Sequence, residues 1–469
     1  MVDFAGLRVH IIGLGSLGTG QACARVLAAR GARVEISDCK PKTELAEQLA
    51  ALARLPITFH LGERAYEDIE KAELVIPSPG VPLDIPALQK ARANGILVVS
   101  EIEVAYWISL CPIIAVTGTK GKTTTTTLIG RLMRAGGQPV LVGGNIGAPL
   151  VEQAHLAGPR HLLVAEVSSF QLEAIRDFRP RVAVFLNFFA DHLDRHPHLR
   201  GYWEAKAKLF LNQEEEDYAI LNFDDSALRA FAGRLKSRVV SFALQGPAQA
   251  EIGDGFLRLG GEPVCSLEKV RLRGSHNLYN VLAALAAVQA AGISLQSAEE
   301  VLSRFRGLEN RLEEVAVIDG ITFINDSQAT IPQAAEMALE AMDAPTVLIA
   351  GGRPKVSDFS SLAETIARKA KALILIGEAA GAISSAARQA GVSSIYEAPD
   401  LPEAVRAAFS LARRGEIVLL SPACASFDMF ANMAHRGEVF RQAVRDLETS
   451  VENGTLGPLP CGSEKEKAR

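Results

Sequence analysis

Long basic runs and stacking platforms are both missing from this chain of 469 residues. Aromatic residues make up 6% of it, only two of them tryptophan, and 49 basic against 54 acidic side chains leave a net charge of −5. A nucleic-acid-binding surface needs a basic face interleaved with rings, so no nucleic-acid partner is expected. Cysteine is sparse and unpatterned. The six, Cys23, Cys39, Cys111, Cys265, Cys424 and Cys461, show neither metal-ligand spacing nor a pairing rhythm. They read as small hydrophobes of a reducing compartment, not as a disulfide framework. No apolar stretch reaches the ~18 residues that a spanning helix needs. The opening residues MVDFAGLRVHIIG put an acid ahead of the first apolar run and offer no small-residue cleavage site. Neither a secretion signal nor membrane insertion is therefore expected, and the expected compartment is the cytoplasm.

What is present suits a globular protein: 48% hydrophobic and 22% charged residues, enough for more than one core. Short β-branched runs (RVHIIG, RVEISD, LVIPSPG, PIIAVTG, HLLVAEVS, RVAVFLN, YAILN, TVLIAGG, ALILIG, EIVLLSP) alternate with alanine- and leucine-rich segments of helical length. That alternation predicts an α/β protein of mostly parallel sheets covered by helices. At ~150 residues per domain the length suggests three domains. Three glycine-bearing strand ends begin three blocks. The expected division is a Rossmann-like N-terminal domain (1–103), a central P-loop ATPase-like domain (104–307) and a Rossmann-like C-terminal domain (308–452). Residues 453–469 read as a flexible tail. The polar segment 235–275 reads as an antiparallel excursion on the central domain.

The first block offers Gly13, Gly15 and Gly18 between a strand and an apolar helix, with Asp38 after the next strand. This is a dinucleotide-type fingerprint: a tight turn, a diphosphate at a helix N-terminus and a carboxylate for a sugar. Alone it is a weak signal. It is compatible with glycines that serve packing only, with a nicotinamide cofactor, or with another diphosphate ligand such as a nucleotide sugar. Residues 78–81, SPGV, end a neighbouring strand and are placed to close such a pocket.

The second block is more specific. TGTKGKTTTTT, residues 117–127, follows a strand and opens a helix. Successive backbone N–H groups from Gly118, Thr119, Lys120, Gly121, Lys122, Thr123 and Thr124 can wrap phosphates. Lys122 reaches toward the β/γ oxygens, and the Thr123 hydroxyl is a ligand for Mg²⁺. Five successive threonines are a poor helix start unless something compensates. Other polar residues end strands of the same block: Asn145 in GGNIG, Glu166 in HLLVAE, and Asp191, His192 and Asp194 in ADHLDRH. Such groups converge on the crevice at the carboxyl edge of a parallel sheet. With oxygen donors and a phosphate beside them, the expected metal is Mg²⁺.

The motifs TGTKGKTT, GGNIG, EVSSFQLE, DHLDRH, YWEAKAKLF, GSHNLYN, NRLEEV, NDSQAT, GGRPKVSDF and LLSPACASFDMFANMAHRGEVF occur in one order along the chain. In that order they resemble the Mur ligase family of peptidoglycan-precursor enzymes. EVSSFQLE and SPACASFDMF are the narrowest and point to the D-glutamate-adding members. The resemblance implies an ATP-dependent ligase that phosphorylates the alanyl carboxyl of UDP-N-acetylmuramoyl-L-alanine and joins it to D-glutamate. ATP and Mg²⁺ are the implied cofactors, and a monomer is expected.

By that resemblance Lys122 and Thr123 meet the phosphates, and Thr123, Glu166, His192 and Lys206 surround the metal. Lys122, His192, Lys206 and Asn145 are the implied catalytic set. Lys206, which the sequence alone presents as an exposed helix lysine, matches a lysine that the family carries as a carbamate. Asn277 and Asn280 match a pair near the adenine, and Arg311 and Asp326 match third-domain residues that meet the nucleotide. Thr330, Lys355, Ser426 and Phe427 match the D-glutamate pocket. Gly15, Ser16, Leu17 and Thr19 match the diphosphate site, with Asp38 and Cys39 near the uracil, Ser78 and Gly80 closing over it, and Asn145 by the alanyl-muramoyl group. The chain departs from the family pattern at Gln328, Lys120, Val356 and Asn310. Other amino-acid ligases, including folylpolyglutamate synthase, share the ATP half. An NAD-dependent oxidoreductase fused to an ATPase would account for both glycine loops but not for the third-domain motifs.

Overall fold

The computed structural model describes residues 2–14, 18–191, 195–196, 198–272, 274–355 and 358–454. Gly15, Ser16, Leu17, His192, Asp194 and Val356 lie outside the described residues, as does the tail from residue 455. The chain forms two compact units, 1–305 and 306–469.

The first unit holds two sheets. In the N-terminal one, β1 (Arg8–Ile12), β2 (Arg33–Asp38), β3 (Ile57–Leu61), β4 (Leu74–Pro77) and β5 (Leu97–Val98) are parallel in the order β3-β2-β1-β4-β5. The order reverses beside β1, so the glycine loop and the turn after β4 share one crevice. The central sheet contains β6 (Ile113–Thr117), β7 (Val140–Gly144), β8 (Leu162–Glu166), β9 (Val182–Phe185), β10 (Tyr218–Asn222), β11 (Arg238–Phe242), β12 (Ala250–Gly253), β13 (Phe256–Leu259) and β14 (Glu262–Ser266). Their order is β14-β13-β12-β11-β10-β9-β6-β8-β7. β6 and β9 are buried at every residue, as expected of strands with helices on both faces.

One core of buried apolar side chains runs from Val9 and Ile36 through Ile102 and Val104 to Ala115, Leu163 and Phe185, so these two sheets share their packing. The expected excursion over 235–275 begins later than the sequence suggests. β11 pairs parallel with β10, and antiparallel pairing starts only between β12 and β13. RVVSF lies against the partner that its apolar run can cover; the turn at Asp254 and Gly255 is what reverses the chain.

The second unit holds β15 (Glu313–Ile318), β16 (Ile321–Asn325), β17 (Thr346–Gly351), β18 (Ala370–Ile376), β19 (Ile395–Glu397) and β20 (Ile417–Leu420), in the order β15-β16-β20-β17-β18-β19. Alternate residues feed two cores. Leu348, Leu373 and Leu419 pack on one face, and Val347, Ile374 and Val418 on the other. β15 is an antiparallel edge strand added to this parallel sheet.

Candidate active site

Residues 117–121 leave the buried end of β6 and turn into the helix Lys122–Ala135. Gly121 caps that helix at φ 85°, a left-handed conformation that favours glycine. Asn187, which the sequence reading missed, shapes the loop. Its Oδ1 accepts the N–H groups of Thr119 and Lys120 at 3.0 and 2.9 Å, and its Nδ2 donates to the Lys120 carbonyl at 3.1 Å. The only sequence signal for it is an asparagine two positions beyond β9.

Lys122 Nζ donates to the carbonyls of Gly118 and Thr119, both at 3.0 Å, so its charge sits inside the loop. The threonine-rich helix start is compensated by packing. Thr124, Thr125 and Thr126 are buried, and the Thr125 hydroxyl donates to Asn280 Oδ1 at 3.3 Å. Asn280 stands on the helix Ser275–Ala290 and its Nδ2 donates to Asn277 Oδ1 at 3.0 Å. The pair implied for the adenine region therefore also seats the phosphate loop. Lys120, a departure from the family pattern, forms an ion pair with Asp191 at 3.3 Å.

At the next strand ends, Asn145 Nδ2 donates to Glu166 Oε1 at 2.9 Å, and the Asn145 N–H donates to the Glu166 carbonyl at 2.8 Å. β7 and β8 approach closely here, since a Cβ on Gly144 would lie 2.3 Å from that carbonyl. Glu166 Oε2 is buried without a hydrogen-bond partner. An acceptor-only oxygen left bare beside a phosphate loop fits a hard cation. Among the described residues no three His, Cys, Asp or Glu side chains form a metal cluster by themselves. A divalent ion here would need phosphate oxygens or water as well.

Lys206 corrects the reading of an exposed helix lysine. It is 1% exposed, because the helix Leu199–Ala207 turns Tyr202, Ala205 and Lys206 inward. Its Nζ donates to the Gly118 carbonyl at 2.8 Å and to Thr117 Oγ1 at 3.4 Å, and lies 4.7 Å from the centre of the Tyr202 ring. Burial, aided by the Lys122 charge, pushes its pKa down to about 6.

In the N-terminal domain Thr19 begins the helix Thr19–Ala29 after Gly18 at φ 75°. The packing glycine is Gly20, which the sequence reading passed over. A Cβ there would lie 2.1 Å from the Gly13 carbonyl. Asp38 accepts the N–H groups of Leu14 and Lys40, each at 3.0 Å, and so ties the first two strand ends together. Cys39 Sγ lies 3.0 Å from the Tyr66 hydroxyl. Ser78 Oγ donates to the Gly13 carbonyl at 2.6 Å, closing the SPGV turn onto the glycine loop, with Gly80 exposed.

In the second unit Arg311 sits between Asn310 (φ 62°) and Leu312 (φ 45°), a strained turn. It is braced from below. Asn310 Oδ1 accepts from Asn325 Nδ2 at 3.0 Å, Glu313 pairs with Arg441 at 2.9 Å, and Asp326 Oδ1 accepts the Leu312 N–H at 3.2 Å. Asp326 is buried, its other oxygen accepts the Ser421 hydroxyl at 2.8 Å, and burial pushes its pKa up to about 7. Lys355 Nζ donates to Thr330 Oγ1 at 3.1 Å. Ser426 is buried, Phe427 is 63% exposed, and Gln328 is exposed. Arg436, also missed, is fully buried and donates to the Ser327 hydroxyl and to the carbonyls of Ser327, Cys424 and Ala425. It shapes the turn that presents Ser426 and Phe427.

A parallel sheet, a nine-stranded sheet that bears the glycine-threonine loop and a six-stranded mixed sheet thus follow one another along the chain. Three family models match in sequence: the Mur ligase MurD-like N-terminal domain over residues 7–100, the Mur ligase middle domain over 116–288, and the Mur ligase glutamate ligase domain over 310–424. The chain belongs to the Mur ligase family. Among its relatives, the UDP-N-acetylmuramoylalanine–D-glutamate ligase of Pelotomaculum thermopropionicum is 43% identical over 95% of this chain and 99% of that protein. The ligase of the same name from Clostridioides difficile is 37% identical over 95% of this chain and 100% of that one. A solved structure with the same fold is the UDP-N-acetylmuramate-alanine ligase MurC of Thermotoga maritima. It has a TM-score of 0.56 at 19% identity, over 94% of this chain and 100% of that one.

Proposed function

We infer that the chain is an ATP-dependent ligase that joins D-glutamate to the alanyl carboxyl of UDP-N-acetylmuramoyl-L-alanine, in the cytoplasm and as a monomer. The observation that carries this reading is the convergence on one strand end. Lys122 and Lys206 both donate to the Gly118 carbonyl of a phosphate-type loop. The Asn145–Glu166 pair ends β7 and β8 in the same sheet, where β8 adjoins β6.

The chemistry follows from the inertness of a carboxylate toward amines. The γ-phosphorus of ATP bonds to a carboxylate oxygen of the alanyl group as its bond to the bridging oxygen breaks, leaving ADP. The D-glutamate amine attacks the acyl carbon, the tetrahedral intermediate collapses, and the carbon–oxygen bond to phosphate breaks. The surplus amine proton leaves with the departing phosphate. Lys122 holds the negative charge that grows on the transferred group, and the backbone N–H groups of 118–124 orient it. Asn145 orients the alanyl-muramoyl substrate. Thr123, Glu166, His192 and Lys206, the last as a carbamate, would hold Mg²⁺, which when bound would neutralise charge on the phosphates. Burial favours the uncharged form of the Lys206 amine and so supports that carbamate, since only a free amine adds to CO₂.

Residues 1–103 take the uridine diphosphate, with Gly15, Ser16, Leu17 and Thr19 at the phosphates, Asp38 and Cys39 by the uracil, and Ser78 and Gly80 over it. Residues 104–307 take ATP, with Asn277 and Asn280 near the adenine. Residues 308–452 take D-glutamate through Thr330, Lys355, Ser426 and Phe427, and Arg311 and Asp326 serve the nucleotide. The test is phosphate release from Mg-ATP and UDP-N-acetylmuramoyl-L-alanine against a panel of amino acids. Release only with D-glutamate is expected. Release with L-alanine and UDP-N-acetylmuramic acid, but none with D-glutamate, would move the reading to a different amino-acid ligase.

A further inference from the structure

Glu101 has no part in the roles assigned above, yet it is 1% exposed and its Oε2 has no hydrogen-bond partner. Three donors converge on its carboxylate. Oε1 accepts the Val151 N–H at 2.6 Å, and the Leu150 N–H and the Gln171 side-chain amide face the carboxylate and favour its charged form. Leu150 and Val151 begin the helix Leu150–Leu156, which follows the turn carrying Asn145. Gln171 carries the connection the other way. Its Oε1 accepts the Ser168 N–H at 3.0 Å and the Ser168 hydroxyl at 3.1 Å, two positions beyond Glu166. Asn145 and Glu166 are themselves bonded at 2.9 Å.

Behind that bonded pair, one carboxylate therefore grips the chain that follows each of its members. The adjoining Glu103, also buried, accepts the N–H groups of Arg176, Asp177 and Phe178 at 2.7, 2.8 and 3.1 Å. Both acids lie in the first turn of the helix Glu101–Ile108, which follows the N-terminal sheet. A carboxylate is an acceptor only, and the three donors at Glu101 need such a partner.

We infer that Glu101 is a positioning residue, which fixes the Asn145–Glu166 pair by holding the two loops that carry it. The inference rests on the reading of that pair as part of the UDP-sugar and metal site. Its test combines steady-state kinetics of the full chain with calorimetric titration of UDP-N-acetylmuramoyl-L-alanine in the absence of nucleotide. In Glu101→Ala the Kd for the UDP-sugar, read without nucleotide, and its KM both rise about tenfold as Asn145 is misplaced, and kcat falls as well because Glu166 would no longer be set to hold the metal. A role in stability alone would lower kcat through the folded fraction and leave the UDP-sugar KM and Kd unchanged.

Glu101→Asp keeps the carboxyl group but withdraws it, so the UDP-sugar constants rise by about threefold, and this variant decides the matter if Glu101→Ala does not fold. UDP-sugar constants equal to wild type in a folded variant overturn the assignment. A wild-type chain that neither binds the UDP-sugar nor uses D-glutamate overturns the functional reading instead, and the two failures are distinct.

Discussion

Asn280 Oδ1 stands 2.2 Å from the point where a Cβ on Gly121 would be. The glycine that caps the phosphate-loop helix and the asparagine on the neighbouring long helix are thus fitted to each other. Gly121→Ala meets both this clash and a φ of 85°. ATP affinity is expected to fall by at least ~30-fold, the combined result of backbone strain and a displaced Asn280. Calorimetry with a non-hydrolysable ATP analogue reads it directly, and UDP-sugar binding measured in parallel should be retained. Adding Asn280→Ala removes the clash but not the strain, so rescue is partial.

Lys122 holds its charge between the Gly118 and Thr119 carbonyls. Lys122→Ala should cut turnover by at least ~100-fold, since the missing charge counts mainly in the transition state. UDP-sugar binding should persist. Near-normal turnover in a folded variant would rule out the phosphate-clamp role.

For Lys206 the two readings diverge sharply. If it carries a carbamate, Lys206→Ala is nearly inactive and acetate partly restores it by filling the vacated anion position. Lys206→Arg stays inactive because it retains the wrong charge in a buried site. Isotope-labelled CO₂ should give a carbamate resonance in wild type that both variants lack. An active arginine variant would sink the carbamate.

Lys120 departs from the family pattern, yet its charge is matched by Asp191 in a partly exposed pair at 3.3 Å. Such pairs contribute at most ~1 kcal/mol, so Lys120→Asn should change kcat/KM for ATP by less than about fivefold. A loss of two orders of magnitude would instead make Lys120 a phosphate ligand.

Asp326 supplies a pH test. Burial raises its pKa from 3.8 to about 7, so between those values the folded chain keeps a proton that the unfolded chain releases. Its contribution to stability therefore falls as pH rises through that window and levels off above about 7. Asp326→Asn cannot titrate. Its Tm relative to wild type should climb from pH ~4 to ~8, measured by thermal denaturation across pH. A difference that stays flat would place the Asp326 carboxyl in its ordinary range.

The alternation of β-branched runs with alanine-rich segments, and the glycines at three strand ends, were enough to determine an α/β chain with a phosphate loop. Those features are local: a strand buried on both faces must be apolar throughout, and a left-handed cap must be glycine at Gly121. Asn145 and Glu166 were legible for a related reason, since each ends a readable strand. Tertiary structure decided what local pattern cannot carry. YWEAK looks like a solvated helix until Leu199–Ala207 packs its Lys206 face against Gly118 and Thr117. Five threonines begin a helix because Ser275–Ala290 covers them, and Asn187 matters because β9 lies beside β6. No local pattern marks Glu101 or Arg436 as buried, and only backbone groups from distant segments make their burial tolerable.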